Sequence, residues 1–228
     1  MSNKGFRIIK KINRPSKDVL NQFKKYPTPN IADNINRFFC MSSKIKKMNE
    51  KNIKLVGPAF TVKARVTDNL LIHKALDIAE PGDILVIDAE GDINHAMLGE
   101  IMVSEAIQRE LGGIIVDGAI RDFGEIKKMD FPVFARGANP RGPYKDGPGE
   151  INTVISCGGV VIKPGDILVG DEDGIVIVPI EEMEEILEKT KITFEKEMKI
   201  LSDIRKGIIR SKDWVDTILS NKGCEIIE

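Results

Sequence analysis

The sequence predicts a single α/β domain ending in a long helix, and three observations carry that expectation. Two short apolar runs, residues 84–88 and 114–117, are bounded by Pro-Gly-Asp and Gly-Gly and separated by a stretch of helical spacing over 98–111. Strand, helix, strand in that order implies parallel pairing through a right-handed crossover. Further on, two strand-turn units over 159–169 and 170–179 have the Gly, Pro and Asp turns of β-hairpins, and residues 180–206 form a charged stretch with one apolar stripe.

The elements follow in order. Ser16 can cap a helix over 16–25 that sets Val19, Leu20 and Phe23 on one face. Pro27 and Pro29 interrupt it, and a second helical stretch runs from Asn30 to about Phe39. The Lys-rich run 43–54 holds few large apolar residues and reads as a solvated turn. From Lys54 to Val66 β-branched and polar residues alternate around a Gly-Pro turn, which is strand chemistry, and 70–79 has helical spacing again. Residues 131–135 suggest another strand, followed by a Gly/Pro-rich loop, 137–149, with the polar and basic character of a binding loop. No repeat or linker divides the chain, so one domain over residues 1–228 is expected.

Composition limits the function. The 34 Lys and Arg nearly cancel the 35 Asp and Glu, which leaves no global field to hold nucleic acid or an anionic membrane and points to a small molecule or another chain as partner. Cys40, Cys157 and Cys224 lie far apart without a C-x-x-C pair and read as reduced thiols. The first eighteen residues lack an apolar signal core, and no stretch approaches the roughly 20 apolar residues of a membrane span, so the expectation is a soluble cytoplasmic protein.

Two stretches suggest chemistry. Gly99, Glu100, Ile101 and Met102 open a helix after a flexible loop, and free N–H groups at a helix start can hold a carboxylate. Asp117 to Glu125 follows a buried strand, where ligands of open α/β sheets collect. There Arg121 offers a planar fork of donors for a carboxylate or an enolate oxygen, and Asp122 is a hard oxygen ligand for a divalent cation.

Glu100, twenty intervening residues, Arg121-Asp122 and then Glu125 resemble the signature of the metal-dependent class II aldolase/RraA-like family, which includes 4-hydroxy-4-methyl-2-oxoglutarate/4-carboxy-4-hydroxy-2-oxoadipate aldolases. Residues 161–166 and 170–179 are similar to that family's C-terminal hairpins, and the resemblance covers roughly residues 26–207. It implies an αββα sandwich of the swivelling β/β/α type whose C-terminal helix packs on a neighbouring subunit of a homotrimer or hexamer. It also implies Mg²⁺ or Mn²⁺ as cofactor and retro-aldol cleavage of a 4-hydroxy-2-oxo acid to pyruvate, with oxaloacetate decarboxylation through the same enolate. By the same resemblance Asp122 ligates the metal and Glu100 holds it through water. Glu197 of the neighbouring subunit, or Glu195, supplies a third carboxylate. Arg121 stabilises the enolate, the helix start at Gly99, Glu100, Ile101 and Met102 receives the pyruvyl carboxylate, and Lys145 meets the substrate's distal end. Many such aldolases carry Asp where this chain has Glu100, which bears on how the water is held.

Plainer readings exist for each feature. Arg121-Asp122 can be a structural turn with a surface ion pair. Asp166, Asp171 and Asp173 lack a calcium loop's ligand ladder and suit turns. His73 reads as a packed or solvated helix residue and His95 as near enough to line the site, while Glu197 alone is a solvated charge. The same family includes non-catalytic proteins that bind and restrain a ribonuclease, which is the competing function. A phosphohistidine swivelling domain would need a Thr-x-His-like loop, and a methyltransferase a glycine-rich cofactor loop; neither is present in the sequence.

Overall fold

A computed structural model describes residues 3–227. It holds two compact units, one through Lys191 and one from Ile192. In chain order the elements are β1 (Phe6–Ile8), α1 (Lys17–Phe23), α2 (Thr28–Asp33), β2 (Lys46–Lys47), β3 (Leu55–Ala64), α3 (Leu70–Ile78) and β4 (Ile84–Asp88). Next come β5 (Ala96–Leu98), α4 (Glu100–Gln108), β6 (Gly113–Ile120), α5 (Phe123–Ile126), β7 (Val133–Ala138), β8 (Gly149–Ile151), β9 (Ile155–Cys157) and β10 (Val160–Ile162). The chain closes with β11 (Ile167–Asp171), β12 (Gly174–Val178), α6 (Met183–Arg205) and α7 (Asp213–Asn221).

The main sheet has the order β1-β8-β3-β4-β6-β7-β2, and its central strands β3, β4, β6 and β7 are parallel, as the strand-helix-strand reading requires. Strand β4 is apolar from Ile84 to Ile87 because both faces are covered. Leu85 and Ile87 enter the core that α3 and α4 close, while Ile84 and Val86 enter a second core with Phe134 and the β9–β10 hairpin. A third core joins the β11–β12 hairpin to Phe23 of α1, Ile31 of α2 and Ile186 at the start of α6. The expected α/β class holds. Among the described residues no helix is long and apolar enough to cross a membrane.

Several elements differ from the sequence expectation. Gly57-Pro58 is no turn: β3 runs through it, pairing with β11 over Leu55–Pro58 by register and with β4 from Ala59 onward. Gly57 is needed because a Cβ there would strike the Gly82 carbonyl. Helix α2 begins at Thr28 with Pro29 in its first turn, where the missing N–H costs nothing, and it stops before Asn36 and Arg37, both at positive φ. The Lys-rich run contributes β2, whose Lys47 pairs with Glu172 at 2.6 Å. The hairpins are offset from the expected units: β9 pairs with β10, and β11 with β12. Strand β6 extends to Ile120, so the turn begins only at Arg121. In the second unit α6 continues to Arg205 and α7 follows, with Trp214, Ile218 and Leu219 exposed.

Candidate active site

Strand β6 delivers Arg121 beside the end of β5, where the Arg121 N–H donates to the Leu98 carbonyl at 2.9 Å. Asp122 then takes a left-handed conformation, φ 55°, ψ 33°, which costs a non-glycine residue on the order of 1 kcal/mol and persists only where the surroundings impose it. The imposing contact is at α4: Asp122 Oδ2 accepts the Glu100 N–H at 3.0 Å, so the carboxylate sits on the positive end of that helix. Arg121 Nε stands 3.7 Å from the same oxygen. Gly99 completes the arrangement, since a Cβ at that position would lie 2.8 Å from Arg121 Cγ and collide with Asp122 Oδ2. Both side chains remain about two-fifths exposed, 44% for Arg121 and 41% for Asp122.

Beside this cluster lies a cavity of about 230 Å³. One wall holds Leu98, Gly99, Ile101 and Met102 from the β5–α4 corner together with Arg121; the other holds Gly142, Pro143 and Lys145 from the long loop; Asn69 and His73 close it. The predicted Gly99, Ile101, Met102, Arg121 and Lys145 thus share one hollow. The Glu100 and Asp122 side chains are outside its lining, and Glu100 with Ile101, Ser104 and Arg109 borders a neighbouring groove on α4. Glu195 and Glu197 lie on the part of α6 that belongs to the second unit.

Asn69 was not singled out in the sequence, and His73, read there as a packed or solvated helix residue, lines the cavity. Asn69 is 3% exposed; its Nδ2 donates to the Met97 carbonyl at 3.1 Å, and its Oδ1 is buried without a partner among the described residues. Burial lowers the His73 pKa, the Lys145 charge lowers it further and Glu105 opposes both, which keeps the imidazole neutral near pH 7. The only sequence signal was the four-residue spacing of Asn69 and His73, which places both on one side of the start of α3. His95, expected near the site, is instead held in its loop by Asp92, with Nδ1 3.2 Å from Oδ2, and does not line the cavity.

The donor chemistry suits a hard divalent cation. Among the described residues no three His, Cys, Asp or Glu side chains converge. Mg²⁺, however, is commonly held by one or two carboxylates with water and substrate oxygens completing the shell. Asp122, pinned at one oxygen by the Glu100 N–H and partly open, offers one such carboxylate.

The RraA-like (aldolase/RraA) family model matches residues 28–177. A protein of Halalkalibacterium halodurans named "Putative 4-hydroxy-4-methyl-2-oxoglutarate aldolase" is 44% identical over 174 residues, covering 76% of this chain and 82% of that protein. Among solved structures, an uncharacterised protein from Pseudomonas syringae superposes with a TM-score of 0.76 at 22% identity over 86% of this chain and 96% of its own, which shows the shared fold. The RNA-processing inhibitor RraA from Thermus thermophilis superposes with a TM-score of 0.62 at 27% identity over 67% of this chain and 92% of its own.

Proposed function

The chain belongs to the RraA-like (aldolase/RraA) family, and from that premise we propose that it is a divalent-metal-dependent lyase that cleaves a 4-hydroxy-2-oxo acid to pyruvate, with oxaloacetate decarboxylation as a second activity. The observation that carries the reading is the Gly99 notch: it lets the Asp122 carboxylate and the Arg121 side chain pack together on the start of α4, at the edge of a cavity that Gly99 and Arg121 line. The Halalkalibacterium relative's name supports the same reaction class.

Asp122 would hold the cation directly and Glu100 through water, with Glu197 of a neighbouring copy, or Glu195, as a further carboxylate in a homotrimer or hexamer. A bound Mg²⁺ or Mn²⁺ would supply Lewis-acid polarisation of the carboxylate and keto oxygens of the 2-oxo acid. The amides of Ile101 and Met102, which lack intrahelical acceptors at the start of α4, receive the substrate carboxylate. Glu100 orients a water that takes the proton from the C4 hydroxyl. As the C3–C4 bond breaks, its electron pair moves into the enolate of pyruvate and C4 becomes a carbonyl. Arg121 offsets the charge developing on the enolate oxygen, and protonation at C3 releases pyruvate. Lys145 meets a distal carboxylate. In oxaloacetate the same electron pair is released by loss of CO₂.

Release of pyruvate from oxaloacetate and from 4-hydroxy-4-methyl-2-oxoglutarate, coupled to lactate dehydrogenase and run with Mg²⁺, Mn²⁺ or EDTA, tests this. Metal-dependent turnover is expected in the wild type and is lost in Asp122→Ala. Absence of turnover with either substrate and either metal would sink it. That result would favour the second reading, a non-catalytic protein that restrains a ribonuclease, for which the likeness to the Thermus inhibitor speaks.

A further inference from the structure

We infer that Asp68 is a positioning residue that ties the Lys145 loop to the Asn69–His73 segment closing the cavity and so sets the affinity for the substrate's distal end. The inference rests on the lyase reading for its kinetic consequence, but its structural part stands apart from it.

Asp68 is 2% exposed and lies between β3 and α3. Its Oδ1 accepts the Leu70 N–H at 3.0 Å, fixing the start of α3, which carries His73 one turn on and has Asn69 immediately before it. Its Oδ2 accepts the N–H groups of Asp146 at 2.6 Å and Gly147 at 3.0 Å, in the loop that carries Lys145. One carboxylate therefore ties the Asn69–His73 segment to the Lys145 loop through three charge-assisted hydrogen bonds. Three further bonds run between the same two segments. The Asn69 N–H donates to the Tyr144 carbonyl at 3.0 Å, the Tyr144 N–H to Thr67 at 2.7 Å, and Arg65 Nη1 to Gly147 at 3.0 Å. Lys145 is thereby held on both sides, at Tyr144 and at Asp146, although its own side chain is free to swing on a flexible stem. Without the Asp68 carboxylate the Asp146 and Gly147 amides lose their acceptor, and on the C-terminal side of Lys145 the loop between β7 and β8, 139–148, keeps only the Arg65 bond to Gly147 across to this segment.

The test uses the full chain with Asp68→Asn, which keeps the shape but turns one acceptor oxygen into a donor facing N–H groups, and Arg65→Met, a surface change that removes only the Gly147 tie. On the lyase reading oxaloacetate would reach across the cavity toward Lys145, whereas the shorter oxalate would engage only Arg121 and the start of α4. In Asp68→Asn the KM for oxaloacetate is expected to rise about tenfold, with kcat and the oxalate inhibition constant changing by less than about threefold. Arg65→Met shifts the same KM in the same direction by less, and carries the test if Asp68→Asn does not fold. Unchanged KM in the folded variants, or equal weakening of oxalate and oxaloacetate, overturns the inference. If the wild type turns over no 2-oxo acid, the lyase reading fails and amide hydrogen exchange decides the rest. Faster exchange confined to 69–73 and 144–147 in the variants supports the lock, and unchanged exchange there refutes it.

Discussion

At Gly99 a single absent carbon decides where the Asp122 carboxylate can stand. Gly99→Ala leaves the backbone in an extended conformation that any residue adopts, φ −144°, so folding is expected to survive. The new Cβ, however, displaces Asp122 or Arg121, and a misplacement of that size is expected to cost roughly a hundredfold in kcat/KM for oxaloacetate. Circular dichroism alongside kinetics separates the two effects; wild-type turnover in this variant would remove the notch from the argument. Asp88 makes a different statement. It is 4% exposed at the end of β4, and burial raises its carboxyl pKa, against the opposing hydrogen bond from the Glu90 N–H and the charge of Lys63, with Asp117 pushing the same way as burial. A carboxyl raised in the folded state contributes stability that is fully present below its unfolded pKa and is lost as pH rises through the folded one. Asp88→Asn, uncharged throughout, is therefore expected to raise Tm near pH 7, with the gain shrinking toward about pH 4, where the unfolded carboxyl is half protonated. Melting curves across that range check it, and a Tm difference that is constant with pH contradicts it.

Among elements, the segment before α1 contributes more than its composition suggested. Arg14 makes a bidentate pair with Asp83, 2.8 Å at each oxygen, and Asp83 is fully buried at the turn into β4. Arg14→Ala leaves that buried carboxylate without its cation and with only the Glu80 N–H donating to it, and a loss of about 2–3 kcal/mol in urea unfolding is expected at neutral pH, restored in part by Asp83→Asn in the same chain. Neither β1 nor its anchor was legible, because a three-residue exposed edge strand has no alternation to detect and Arg14 finds Asp83 69 residues away. By contrast β4, β6, α3 and α4 were legible, since strands covered on both faces are continuous apolar runs and one-sided helices keep a 3.6-residue period. The site divides along the same line. Arg121, Asp122 and the helix start could be read because each occupies a local junction, strand to turn or loop to helix, that announces itself in sequence. Asn69, His73 and Asp68 could not, because their roles arise only when α3 meets a loop some seventy residues further on.

At the scale of the whole molecule the proposed function calls for a third carboxylate, and among the described residues no three ligating side chains gather. The proposal assigns it to Glu197 of another copy, and a mixing experiment distinguishes that from supply within one chain. Asp122→Ala lacks the direct ligand and Glu197→Ala the neighbour's, and each alone is expected to lose most of its activity. When the two inactive proteins are dissociated, mixed in equal amounts and reassembled, a site is whole only where an intact Asp122 faces an intact Glu197. Random assembly of a closed ring with sites between neighbours makes this roughly one site in four, so about a quarter of wild-type activity returns. If both groups served the same site from one chain, every site in the mixture would still lack one of them and no activity would return. Full activity of Glu197→Ala by itself would strike that residue from the site and pass the test to Glu195, two positions earlier on α6.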